Sequence, residues 1–76
     1  MIAEELEIKQ KLREEVTDWM RCNHLKQEEA ARILQINRPR VSDVVNGKLS
    51  KFSIDSLIGM VLRTGKSVEI STVDGC

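Results

Sequence analysis

Apolar residues recur along the first third of the chain at steps of three and four: Leu12, Val16, Trp19 and Met20, with Leu6 and Ile8 as candidates to extend the stripe. That spacing lines one face of an α-helix and predicts a first helix over residues 4–22, with Glu4, Glu5 and Glu7 at the positive end of its dipole. Asn23 and His24 break the pattern. A shorter stripe of Ala30, Ala31, Ile33 and Leu34 predicts a second helix from Gln27 to Leu34, with Glu28 and Glu29 in its first turn. Only Gln35, Ile36 and Asn37 separate it from the next apolar face, Val41, Val44 and Val45. Asn37 is a good N-cap, because its side-chain oxygen can accept from an unpaired backbone N–H of the first turn. Pro39 falls in that turn, where its missing N–H costs little. Asn46 and Gly47 are expected to close this third helix. Ser53 reads as a further N-cap, with Phe52 and Leu57 at the spacing of a hydrophobic staple. Leu57, Ile58, Val61 and Leu62 make a fourth apolar face, closed by Thr64 and Gly65.

The period then changes. Over residues 67–73, Val68, Ile70 and Thr72 alternate with Ser67, Glu69 and Ser71, which predicts a strand. A lone strand leaves its backbone groups unpaired. Its expected partner is the same strand of a second copy, antiparallel across a two-fold axis. Val68, Ile70 and Thr72 are then dimerisation residues; a frayed tail is the alternative. The expected fold is all-α: one domain over residues 1–76, a bundle of four to five helices with a short C-terminal β-strand paired across a dimer.

Composition narrows the class. With 76 residues there is room for one small core, and 41% of them are hydrophobic, enough to fold. Cores of this size often gain stability by association. No apolar run approaches a membrane span, and the acidic N-terminus is unlike a signal or transit peptide. Cys22 and Cys76 make no disulfide framework, and with one histidine they make no zinc site. No metal, cofactor or membrane is expected. The chain shows no phosphate-binding glycine loop, nucleophile–base pair or paired carboxylate, so an enzyme is not expected. A cytoplasmic, nucleoid-associated protein is the simplest reading.

Net charge is zero, but it is unevenly spread. Residues 1–19 carry six acids and three bases, while residues 20–51 carry seven bases and three acids. The basic middle coincides with the two short helices joined by a three-residue turn, the geometry of a helix-turn-helix. In that motif one helix lies across the DNA backbone and the next enters the major groove. The requirements are met: Ala31 is small where the helices cross, Ile36, Val41 and Val44 can lock the turn and inner face, and Arg38, Arg40, Ser42 and Asp43 are polar for the outer face. An Arg can pair bidentately with guanine O6 and N7, whereas Lys48, just beyond the third helix, can only sense charge.

Residues 27–46, running Gln27-Glu28-Glu29-Ala30-Ala31-Arg32 through Asp43-Val44-Val45-Asn46, resemble the helix-turn-helix of the Xre/Cro family of phage repressors and bacterial regulators, whose fold is the small lambda-repressor-like bundle. The match is stronger for the small HigA-like antitoxins, which share runs like Arg40-Val41-Ser42-Asp43, Asn46-Gly47-Lys48, Phe52-Ser53-Ile54-Asp55-Ser56-Leu57 and Gly65-Lys66-Ser67-Val68-Glu69-Ile70. The resemblance covers residues 12–73. It departs at Lys26, where the family has a capping Thr or Ser, and at Gln35, where it often has Gly. The resemblance implies a homodimeric repressor on a palindromic operator. Gln27 would fix a phosphate and brace the third helix. Arg38, Pro39, Ser42 and Asp43 would face base edges, and Asn46 would contact a phosphate. Asn37, at the head of the same helix, and Arg40 and Lys48, by charge and place, join the expected DNA-binding set. Asp43 has two open roles, accepting from cytosine N4 or orienting Arg38 or Arg40 by an ion pair. Expected partners are double-stranded DNA, a second copy and, in the antitoxin branch, a cognate toxin. A protein-interaction module that keeps the fold without using DNA is the rival class.

Overall fold

The computed structural model describes residues 3–72. Four α-helices follow one another: α1 (Ala3–Cys22), α2 (Gln27–Leu34), α3 (Arg38–Val45) and α4 (Ile54–Arg63), with a single 3-10 turn at Leu49–Lys51 between the last two. The 3-10 turn has no counterpart in the periodicity, being shorter than one apolar repeat. The caps expected from sequence are present. Asn37 Oδ1 accepts from the Arg40 N–H at 3.0 Å, and Ser53 Oγ accepts from the Ser56 N–H at 3.1 Å. Lys26 has no acceptor to offer, so α2 keeps half of a capping box: the Glu29 carboxylate accepts from the Lys26 N–H at 3.2 Å.

The helix ends share one device. After α1, α2 and α3 the chain turns through a left-handed residue, at His24, Gln35 and Gly47. The next residue's N–H then reaches back to a carbonyl five positions earlier: Leu25 to Met20 at 2.9 Å, Ile36 to Ala31 at 3.1 Å and Lys48 to Asp43 at 2.9 Å. This is the Schellman closure. Leu25 and Ile36 are half-buried against the core, supplying the apolar contact that accompanies it.

The core draws on every helix: Val16, Trp19 and Met20 from α1, Ala30, Ala31 and Leu34 from α2, Val41 and Val44 from α3, and Leu57, Met60 and Val61 from α4, with Phe52 before it. α1 packs most extensively on α4, and α2 on α3. Phe52 and Leu57 are both buried, as the staple requires.

Several expectations need correction. Leu6, Ile8, Ile33 and Leu62 are about half exposed. The α1 stripe continues instead through Lys9, which lies a helical step before Leu12 and Arg13 and is buried. An amphipathic lysine can cover apolar surface with its stem, which a reading by residue type misses. The predicted strand is the larger correction. Residues 67–72 form no strand, and Val73 lies outside the described residues. Val68 packs against the core while Ile70 is 76% exposed, so the two do not share a face as alternation required. Within one chain the segment finds no ladder partner, and burying Val68 is the gain open to it. Lys66 holds its start on α1, donating to the Glu15 carboxylate at 2.7 Å and to the Glu15 carbonyl at 3.2 Å.

Candidate nucleic-acid interface

α3 is held from behind. Val41 and Val44 are almost wholly buried, and Asn37 fixes the first turn. Its far end is gripped by a residue that sequence reasoning passed over. Arg13, on α1, donates from Nε to the Val44 carbonyl and from Nη2 to the Val45 carbonyl, both at 2.7 Å. A positive charge on the last carbonyls of a helix also suits its dipole. Gly47 lies against this guanidinium, 3.6 Å from where a β-carbon would sit. Arg13 gave no local signal, because its partners lie some thirty residues away in sequence.

The front of α3 carries Arg38, Ser42 and Asn46 at four-residue steps, so they form one outward row, with exposed Pro39 beside it. Asn46 Nδ2 donates to Ser42 Oγ at 3.2 Å, ordering the two as a pair. Gln27 opens α2, and its neighbour Glu28 reaches α3: Arg38 Nη1 donates to Glu28 Oε1 at 3.4 Å.

Two of the expected residues have partners within the chain. Arg40 shares its row with buried Val44 rather than with Arg38, and its guanidinium stacks 4.6 Å from the Phe52 ring centre. Asp43 turns toward the chain beyond the helix. Its carboxylate lies 3.8 Å from Lys48 Nζ and 3.6 Å from Lys51 Nζ, not beside Arg38 or Arg40. Lys51 entered the sequence reading only through the charge balance. The assembled surface is therefore a polar row on α3, with Arg40 stacked on Phe52 and a Lys48–Asp43–Lys51 group adjoining it.

Among the described residues no cluster of His, Cys, Asp and Glu could hold a metal, and no helix is long and apolar enough to cross a membrane. Two short helices joined by a three-residue turn, the second with a buried back and a polar front, define a helix-turn-helix domain. A family model of that description matches residues 2–72, and the chain belongs to this family. No curated protein and no solved structure matches it. Membership of a helix-turn-helix family suggests a DNA-binding regulator; nothing in the match distinguishes the HigA-like branch.

Proposed function

We propose that this chain is a sequence-specific DNA-binding regulator that acts as a homodimeric repressor, occupying a palindromic operator at a promoter. One observation carries the reading: α3 buries Val41 and Val44 and turns Arg38, Pro39, Ser42 and Asn46 outward. A major groove admits such a helix, and its base edges offer donors and acceptors to those side chains. In this reading Arg38 pairs with guanine, and Pro39 and Ser42 meet base edges. Gln27, Asn37, Asn46, Arg40 and Lys48 hold the backbone. Ion pairs with both lysines favour Asp43 as the residue that orients Lys48 and Lys51 toward phosphates, over a contact with cytosine.

The dimer forms through residues 67–72, which become a strand only when a second copy supplies the ladder. Exposure of Ile70 supports this. Two-fold symmetry then places half-sites about 34 Å apart. Resemblance to the HigA-like antitoxins extends the reading: the same dimer would also bind a toxin encoded beside it and repress their shared operon. A protein-interaction module is favoured by one observation, the half-exposed Leu6 and Ile8 on an acidic α1.

Fluorescence anisotropy on duplex DNA from directly upstream of the gene tests the reading. A scrambled duplex and the Arg38→Ala/Arg40→Ala double variant run beside it over a salt series. Tight binding to the native duplex alone, lost with salt and in the variant, is expected. Equal weak binding to both duplexes, unchanged in the variant, would overturn DNA reading by α3 and leave the interaction module.

A further inference from the structure

Arg38 and Glu28 form the only ion pair that joins α2 to α3 among the described residues. Both side chains are exposed, at 64% and 73%, so the pair is open to solvent and adds little to folding. Its placement is more informative. Glu28 stands in the first turn of α2, where the helix dipole favours a carboxylate. Arg38 stands at the first position of α3, where the dipole disfavours a cation and where Pro39 restricts the backbone. Among the described residues no group on α3 accepts from the Arg38 side chain, and the carboxylate from α2 does.

The pair is also one-sided. The carboxylate takes Nη1. The Nε and Nη2 edge makes no hydrogen bond among the described residues. That edge is the fork with two parallel N–H groups, and this chain already uses it once: Arg13 grips two carbonyls with Nε and Nη2. Guanine presents a similar pair of acceptors, O6 and N7, in the major groove.

We infer that Glu28 is a positioning residue for base readout: it holds Arg38 by Nη1 and so leaves the Nε–Nη2 fork aimed at a guanine. This inference rests on the DNA-binding reading above. Glu28 is then a trade. Its charge repels the phosphate backbone and weakens binding to any sequence. In return it holds a flexible arginine in one orientation, which favours one base.

The test is selection of bound duplexes from a random-sequence pool, followed by sequencing, for the wild type and for Glu28→Ala, Glu28→Gln and Arg38→Ala. Anisotropy on a scrambled duplex and circular dichroism accompany each variant. The wild type is expected to enrich a palindromic motif with a guanine in each half-site that Arg38→Ala loses. Glu28→Ala is expected to lower the preference for that same guanine about three-fold and to leave other positions unchanged, as loss of one exposed ion pair allows. Its affinity for scrambled DNA should rise roughly two-fold at low salt. Glu28→Gln, which keeps the acceptor oxygen without the charge, should restore part of the guanine preference. An unchanged guanine preference in Glu28→Ala, or an equal loss at every position, would overturn the inference while sparing the DNA reading. A wild type that enriches no motif would overturn both.

Discussion

Gln35 and His24 hold positive φ angles, 60° and 53°, which cost a residue with a β-carbon about 1 kcal/mol and glycine almost nothing. Gln35→Gly is therefore expected to stabilise the fold by up to about 1 kcal/mol, read as a higher urea midpoint. Gly47→Ala should do the reverse, since φ is 74° there. Arg40 shows how a residue visible in sequence can have a partner that sequence does not show. Its charge and position put it on the outer face of the third helix, but the register of α3 sets it in the row of Val44, against Phe52. Arg40→Ala should therefore lower both DNA affinity and stability, the latter by about 0.5–1 kcal/mol from the lost cation–π contact. Arg38→Ala should lower binding and leave stability unchanged. Denaturation and anisotropy on the same two variants separate the roles.

At the level of elements, α2 and the beginnings of α3 and α4 were legible because their signals are local. Gln27–Leu34 follows from four apolar positions, and the Asn37 and Ser53 caps act within three residues. The end of α3 at Asn46 and Gly47 was legible in the same way, but the grip on it was not, because Arg13 reaches it from another helix. Charged hydrogen bonds of this kind are worth about 1.5–3 kcal/mol each, so Arg13→Met is expected to destabilise the protein by at least about 2 kcal/mol. Small single cores rarely exceed about 3–5 kcal/mol in total, so that loss should bring the variant close to unfolding. A urea titration of wild type and variant measures it. The expected strand is absent from the single chain for a related reason: alternation reports which faces could be buried, and only a partner decides whether a ladder forms.

For the whole molecule, the question is what residues 67–72 meet. Val68 serves the monomer and Ile70 does not. Ile70→Asp is therefore expected to leave the melting temperature of dilute protein unchanged and to shift sedimentation toward the monomer. Val68→Asp should lower the melting temperature at every concentration. If Ile70→Asp sediments as the wild type does, the C-terminal route to a dimer is wrong. The acidic–basic division of the chain was legible as a polyanion-binding signal, but only the fold shows how the basic residues are distributed. Arg38 stands on the front of α3, Arg40 stacks on Phe52, and Asp43 holds Lys48 and Lys51 beyond the helix end.

Trp19 is the single tryptophan of a chain without tyrosine, and it lies in the core on α1. The near-ultraviolet emission of this protein therefore comes from one buried indole. Unfolding should move that indole into water and shift its spectrum to the red, with no dye attached. A fluorophore on a DNA duplex reports at other wavelengths, so a single cuvette can follow folding and association as two independent colours.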